Sequence, residues 1–222
     1  MTRLLTTLQQ DIVDSALFEE AITHRSANKK NNERLEYLGD AILGFVVAEY
    51  LYAHKPDSAE GELSRLRAHL VRKDTLAEIA VELELGEIIK LGPGEMKSGG
   101  RRRDTTLADA LEAIFAAVYL LKGLEHVRRF ILDVYHDRLV SLPPGEQIKD
   151  PKSRLQEFLQ SKNLSLPAYE LSEVEGASHA QHFSTLCTIE EYGIRVTGEG
   201  ASKRKSEQDA ACKALALLEQ RE

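Results

Sequence analysis

Two short segments of the sequence place carboxylates at helical spacing. In the first, Glu36 and Asp40 are four residues apart and Glu33 lies one turn earlier, so all three would share one face of a helix. In the second, Asp109 and Glu112 are the charged residues of a long apolar stretch. Carboxylates in apolar surroundings are costly unless they are paired or bound to a metal, so two such helices side by side would hold a hard cation such as Mg²⁺. The alternative is that each acidic pair lies on a solvated helix face.

Helices are the elements that must position these acids. Apolar residues recur at helical spacing in several long runs with few β-branched alternations, which predicts an all-helical domain over residues 1–140. Asp104 can cap a helix that starts at Thr105, Gly123 follows that helix, and Leu91 to Gly94 is predicted to be a turn. The long runs are Leu35 to Leu51, Leu63 to Leu83 and Leu107 to Leu121.

A break in composition separates a second domain from the first. Pro143 and Pro144 cannot continue a helix, so residues 141–149 are predicted to be a linker. Residues 150–220 change period and predict an α-β-β-β-α domain, with a tight turn at Glu191 to Gly193. The predicted elements are a helix over Lys152 to Gln160, strands over Tyr169 to Glu175, Phe183 to Ile189 and Ile194 to Thr197, and a helix over Ser202 to Glu219.

The composition of the 222 residues, with 42% apolar and 29% charged, is typical of a globular protein rather than a disordered one. The N-terminus has neither the apolar core of a signal peptide nor a membrane span, so the chain is predicted to be cytoplasmic. Cys187 and Cys212 lack CxxC spacing. They are predicted to be reduced packing residues in apolar surroundings, without a disulfide partner.

The overall charge does not by itself favour a nucleic-acid partner. The net charge is −7, and residues 150–222 contain nine basic and twelve acidic residues, whereas phosphate binding depends on Lys and Arg. Any binding surface must therefore be local. Lys203, Arg204 and Lys205 form one candidate, because they fall at a helix start whose free backbone N–H groups and dipole favour phosphate. The alternative is a solvated run of charge.

The segment Asn32 to Asp40 resembles the signature of the ribonuclease III family, which usually has Phe where this chain has Tyr37. Further motifs follow in the family's order, and the C-terminal half resembles a double-stranded-RNA-binding domain, so the resemblance covers essentially the whole chain. These motifs are Thr23 to Ser26, Leu91 to Glu95 and Ala108 to Ala113 in the first domain, and Arg154 to Glu157 and Gly176 to His179 in the second.

This resemblance implies an endoribonuclease that cuts double-stranded RNA with Mg²⁺, or with Mn²⁺ as a substitute ion. It implies in-line attack of water on the phosphodiester, staggered ends with 5′-phosphate and 3′-hydroxyl groups, and processing of precursor ribosomal and other structured RNAs. The implied site residues are Glu36, Asp40, Asp109 and Glu112 as metal ligands, of which Asp40 and Glu112 are also catalytic, with Glu33 and Glu60 as further acids.

A homodimer is also implied. Cutting both strands of a duplex calls for two acidic clusters related by two-fold symmetry. By resemblance, the Tyr37 ring inserts into a pocket of the partner subunit, and the alternative is an ordinary core aromatic.

The second domain is implied to bind the RNA. Gln156, Glu157 and His179 would reach ribose 2′-hydroxyls and minor-groove edges, which allows an A-form duplex to be recognised by its shape. Two residues depart from the family pattern. Ser206 stands where Ala is usual, and Asp209 adds negative charge near the basic residues. These departures are expected to lower affinity without excluding binding.

Two other functions stay open at the level of sequence. A non-catalytic RNA-binding scaffold would keep the second domain but should have lost one of the four metal-ligand acids, and all four are present. A metal-dependent phosphohydrolase of small molecules would leave the second domain unexplained. It would also be expected to have a His-Asp pair or a phosphate-binding Gly loop beside the acids.

Overall fold

The computed structural model describes residues 2–176 and 181–219, and the chain forms two compact units that divide between Gly145 and Glu146. This division falls within the segment predicted to be a linker. The regular elements described in the first unit are helices. In chain order they are α1 Arg3–Thr7, α2 Gln10–Val13, α3 Ala16–Ala21, α4 Glu33–His54, α5 Glu60–Val71, α6 Lys73–Glu82, α7 Pro93–Lys97, α8 Asp104–Lys122, α9 Leu124–Val134 and α10 His136–Val140, and a short α11 Gly145–Ile148 follows where the units divide.

Helix α8 is the centre of the first unit. From Thr106 to Val118 every residue except Asp109 is buried, because the helix is apolar on all sides and is surrounded by other helices. Helices α4, α6 and α9 pack against it. The helix ends at Gly123, whose φ of 81° is left-handed and suits glycine. The predicted long helices over the signature segment and over Leu107 to Leu121 are both present.

The run from Leu63 to Leu83, in contrast, is two helices and not one. Arg72 is extended, with φ −67° and ψ 152°, and it separates α5 from α6. The Thr75 hydroxyl donates a hydrogen bond to the carbonyl of His69 at 3.0 Å, which satisfies one backbone acceptor left free at the end of α5. Apolar spacing continues across Arg72, so periodicity alone could not reveal the break.

Two predicted boundaries also need correction. Pro93 and Gly94 were predicted to lie in a turn, but Pro93 is the first residue of the short helix α7, a position that its fixed φ favours. Asp104 was predicted to cap α8, but it is the first helical residue, and Arg103 occupies the N-cap position without a side-chain hydrogen bond.

The second unit contains a three-stranded antiparallel sheet flanked by two helices. Thr185, Cys187 and Ile189 point into its core from the middle strand, as the alternation predicts. The predicted fold class, a helical domain followed by an α-β-β-β-α domain, is confirmed. The elements are α12 Pro151–Ser161, β1 Ala168–Glu175, β2 His182–Ile189, β3 Ile194–Gly200 and α13 Lys203–Glu219, and the sheet order is β1-β2-β3.

Strand β3 is longer than predicted and continues to Gly200. Its last part lies close to α13, since a Cβ atom added to Gly198 would be 2.1 Å from the backbone nitrogen of Ala210. Glycine is therefore needed for close packing of β3 against α13, at a position where the sequence predicts that the strand has ended.

The two cysteines differ in their environments. Cys187 is buried as predicted, but Cys212 is exposed, so the prediction that it packs in apolar surroundings is wrong. It lies on the outer face of α13, between Ala211 and the exposed Lys213. Among the described residues, no helix is long and apolar enough to cross a membrane.

Candidate active site

The acids of α4 and α8 meet because the two helices approach very closely. A Cβ atom added to Gly39 would be 1.8 Å from the carbonyl oxygen of Glu112, so only glycine fits at this crossing. Glu36 lies one turn before Gly39 and Asp40 directly follows it. The contact between the helix backbones therefore brings the acids of α4 next to those of α8.

Three of the predicted metal ligands form a compact cluster. One carboxylate oxygen each from Glu36, Asp109 and Glu112 lies within 4.8 Å of the other two. Glu112 is only 5% exposed, Glu36 and Asp109 are half-buried, and the cluster therefore opens to solvent on one side. Asp40 is exposed and outside this compact set, but its charge raises the pKa of Glu112. Such an arrangement of carboxylates is suited to binding a metal ion.

The electrostatics of the cluster show that negative charge is concentrated in a poorly solvated place. Burial, followed by the charges of Asp40 and Glu36, raises the pKa of Glu112 to about 8. Burial also raises the pKa of Glu36, with Asp109 as the next cause. Burial and neighbouring acids thus disfavour the ionised forms of Glu36 and Glu112, and a bound cation would lower both pKa values.

Lys73 supplies a positive charge to this cluster. Its Nζ atom donates a hydrogen bond to Oδ1 of Asp109 at 2.8 Å, and this bond raises the pKa of Lys73. The charge of Lys73 lowers the pKa values of Glu36 and Glu112, although burial outweighs this effect. Lys73 carries no signal in the sequence, because it is far from Asp109 along the chain and belongs to neither acidic motif.

A groove of about 600 Å³ adjoins the cluster and exposes Glu36 and Asp109 to solvent. Glu33 lines it and pairs with Arg25 at 3.4 Å. The groove thus combines acids of the predicted site with guanidinium groups at its rim. Its other lining residues include His24, Ser26, Asn32, Glu95 and Arg103, and Arg103 forms an ion pair with Glu95.

Glu60 and Tyr37 lie away from the cluster. Glu60, the first residue of α5, accepts a hydrogen bond from the Ser64 hydroxyl at 2.7 Å. It lines a separate groove of about 360 Å³ whose walls include Phe45 and Tyr52. Tyr37 is 83% exposed, so the alternative that it is a core aromatic is wrong for the single chain.

In the second unit, the basic residues predicted to bind RNA are exposed at the start of α13. The Ser202 hydroxyl accepts a hydrogen bond from the backbone nitrogen of Lys205 at 3.2 Å, which orders the first turn of the helix. Lys203 and Arg204 begin the same turn. The three cations are therefore exposed at a helix start, where the helix dipole and free backbone N–H groups favour an anion.

The other predicted RNA-binding residues lie on α12 and in the loop after β1. Gln156 and Glu157 are both exposed on α12. Glu157 also forms an ion pair with Lys149, with 2.5 Å between Oε2 and Nζ. His179 lies outside the described residues.

Ser206 and Asp209, the two departures from the family pattern, have structural partners. Ser206 is fully buried, and its hydroxyl is 2.7 Å from the equally buried hydroxyl of Thr185 on β2. Asp209 accepts a hydrogen bond from the backbone nitrogen of Glu199 at 2.9 Å and pairs with Lys213 at 2.8 Å. Its negative charge is therefore largely offset by Lys213 and the edge of the sheet.

An acidic cluster on crossed helices, followed by an α-β-β-β-α unit with a basic helix start, defines a class of two-domain nucleases that act on double-stranded RNA. Comparison with known proteins leads to the same class. Residues 14–139 match the family model described as ribonuclease-III-like, and residues 151–218 match the double-stranded RNA binding motif. The chain belongs to the ribonuclease III family. Its two domains are those of a double-stranded-RNA endoribonuclease.

Similar proteins support this assignment over nearly the full length. The chain is 50% identical over 218 residues to Ribonuclease 3 of Vibrio cholerae, covering 98% of this chain and 97% of that one. It is 52% identical over 220 residues to Ribonuclease 3 of Nitrosococcus oceani, with coverage of 98% and 94%.

Two solved structures of the nuclease domain of ribonuclease III from Campylobacter jejuni are also similar. One is 40% identical with a TM-score of 0.59, covering 64% of this chain and 97% of that one. The other, described as showing structural flexibility in a region involved in dimer formation, is 41% identical with a TM-score of 0.56 and covers 60% of this chain and 96% of that one.

Proposed function

We propose that the chain hydrolyses phosphodiester bonds in double-stranded RNA with Mg²⁺ as its cofactor and Mn²⁺ as a substitute ion. The observation that carries this proposal is the cluster of Glu36, Asp109 and Glu112, whose carboxylate oxygens lie within 4.8 Å of one another at the edge of an open groove. The two other functions that the sequence leaves open, a non-catalytic scaffold and a hydrolase of small molecules, lack such support. A scaffold has no use for a costly acidic cluster, and a small-molecule hydrolase has no use for the second unit.

The residues present fit a hard divalent cation. The donors are carboxylate oxygens, which Mg²⁺ prefers, and the raised pKa values of Glu36 and Glu112 show that burial and neighbouring acids disfavour their ionised forms, which a bound cation would favour. When bound, the ion lowers the pKa of water and neutralises charge on the phosphate. Glu36, Asp109 and Glu112 would hold it, and Asp40 would join them from the exposed side of α4.

The chain's own groups would position the metal ligands and the RNA backbone. The close approach of the Glu112 backbone to Gly39 fixes the position of the α8 backbone relative to α4 before substrate arrives. Asp40 and Glu112, proposed as the catalytic pair, would act on the scissile phosphate from two different helices. Arg25 and Arg103 line the groove beside the cluster, where they would contact the neighbouring RNA backbone.

The second unit would hold the duplex. Lys203, Arg204 and Lys205 place charge at a helix start that already favours phosphate, and Gln156 and Glu157 would contact ribose hydroxyls from α12. The acidic composition of this unit makes the affinity depend on this small surface. We therefore expect binding to be governed by duplex shape and to depend only weakly on RNA sequence.

A homodimer is proposed to combine two such sites. Tyr37 is adjacent to Glu36 and exposes an aromatic ring, while the groove bounded by Phe45 and Tyr52 is largely apolar. Insertion of each Tyr37 ring into the partner's groove would bury both surfaces. Because Glu60 lines the same groove, the partner's Glu60 would then lie near Glu36.

Two sites related by a two-fold axis would cut opposite strands at offset positions. We propose staggered ends with 5′-phosphate and 3′-hydroxyl groups, and precursor ribosomal and other structured RNAs as substrates. The cytoplasm is the proposed compartment. The domain boundaries proposed for the enzyme remain 1–140, 141–149 and 150–220.

Cleavage and binding of one labelled RNA duplex test the proposal together. Glu112→Gln keeps the shape of the side chain but removes its charge, so it should bind the duplex like the parent chain while cutting at least about a hundredfold more slowly in Mg²⁺. Glu125→Gln, an exposed acid on α9, is the control and should cut normally. A parent chain that binds the duplex but never cuts it would instead support the scaffold function.

A further inference from the structure

Lys73 is the first residue of α6, directly after the extended Arg72 that separates α6 from α5. The break allows α6 to begin beside α8, and the Lys73 side chain then reaches Asp109, with 2.8 Å between Nζ and Oδ1. The side chain of Lys73 is 54% exposed, whereas that of Asp109 is 24% exposed. The lysine thus approaches the acidic cluster from the solvent side.

The contact occupies a carboxylate oxygen of Asp109, which is one of the three residues of the cluster. Asp109, Glu36 and Glu112 offer oxygens that lie within 4.8 Å of one another, and the positive charge of Lys73 favours the ionised forms of Glu36 and Glu112. A divalent cation bound by Asp109 would lie about 2.1 Å from a carboxylate oxygen. An ammonium group bonded to the same carboxylate would repel that ion, because both are cations a few ångströms apart.

We propose that Lys73 is a positioning residue: a tethered cation that holds Asp109 and the cluster together in the absence of metal and gives way when the divalent ion binds. This inference rests on the proposed metal site. Lys73 thereby weakens metal binding and stabilises the metal-free domain. A residue with a merely structural role would not produce this opposite pair of effects.

The test uses the full-length chain and Mn²⁺ as the probe, with binding measured by calorimetry and unfolding measured with and without a chelator. Lys73→Met removes the charge and keeps most of the length. It should bind Mn²⁺ about fivefold more tightly than the parent chain, the effect of losing a competing ion pair. In chelator it should unfold about 3 °C lower, and this difference should vanish or reverse in saturating Mn²⁺.

Two further variants control for charge and for ion-pair loss. Lys73→Arg keeps the cation and should retain the parent's affinity for Mn²⁺. Lys90→Met removes another exposed lysine, which pairs with Glu19 in the same unit. It therefore changes the net charge and removes one ion pair, as Lys73→Met does. It should leave Mn²⁺ affinity unchanged.

Unchanged or weaker Mn²⁺ binding by Lys73→Met, with normal binding by the parent chain, overturns the inference and leaves the proposed function intact. Failure of the proposed metal site has a different outcome, in which neither the parent nor Lys73→Met binds Mn²⁺. That result overturns the metal site and this inference together.

Discussion

The buried carboxyl of Glu112 should make the metal-free protein less stable as the pH rises. Its pKa in the folded chain is about 8, compared with an ordinary value of 4.5, because burial and the charges of Asp40 and Glu36 disfavour ionisation. A group with a raised folded pKa contributes stability that is fully present below its unfolded pKa. That contribution is lost as the pH rises through the folded pKa.

The magnitude follows from the separation of the two values. At about 1.4 kcal/mol per pH unit, ionising Glu112 in the folded state costs up to roughly 5 kcal/mol relative to the unfolded chain. Glu112→Gln is neutral at every pH and keeps the shape of the side chain. The variant should therefore match the parent chain near pH 5 and exceed its stability by several kcal/mol near pH 8.5, both in chelator.

Urea unfolding of the two chains at several pH values measures this difference, because acids outside the cluster titrate alike in both chains and their effects cancel. Saturating Mg²⁺ provides a second check. The parent should then gain more stability than Glu112→Gln, since the variant has lost a metal-binding carboxylate. A stability difference that stays constant from about pH 5 to pH 8.5 in chelator would refute the reasoning.

Three further substitutions have clear expected outcomes. Tyr37→Ala removes the exposed ring proposed to fill the partner's groove and should shift the protein toward monomer in light-scattering measurements, and a fully dimeric variant would count against the interface. Ser206→Ala leaves the buried Thr185 hydroxyl without its partner and should destabilise the second unit by about 1–3 kcal/mol, part of which the double variant with Thr185→Val should restore. Gly39→Ala places a Cβ atom against the backbone of Glu112 and should destabilise the first unit by more than about 3 kcal/mol in urea unfolding. A smaller loss of stability would mean that the two helices separate at little cost and would contradict the prediction.

Much of the fold could be predicted because its strongest signals are local. Leu107 to Leu121 of helix α8 is a continuous apolar stretch with two acids, and β2 alternates cleanly between buried and outward residues. The break at Arg72 could not be predicted, since apolar spacing continues through it and the extended conformation is supported by a Thr75 hydrogen bond formed only in three dimensions. Local periodicity identifies helices better than it identifies their ends.

The pairing of Ser206 with Thr185 shows why a single-residue comparison can mislead. Taken alone, Ser206 differs from the alanine usual in the family and suggests a weakened RNA-binding helix. In the structure its hydroxyl lies against that of Thr185 in the core, so each polar group satisfies the other. The departure is thus accommodated by packing between α13 and β2, and the three cations at the helix start keep their exposure.

The candidate site shows the same division between local and non-local information. The spacing of Glu36 and Asp40, and of Asp109 and Glu112, is visible within each helix, but it does not say that the helices cross. Gly44 of the same helix has open space around it, so a glycine alone does not mark a crossing. The residue at the crossing is Gly39, of a type that costs a helix interior about 1 kcal/mol relative to alanine. Here the backbone of Glu112 requires it. A glycine between two acids of one helical stripe was the available signal that a second helix packs against that stripe.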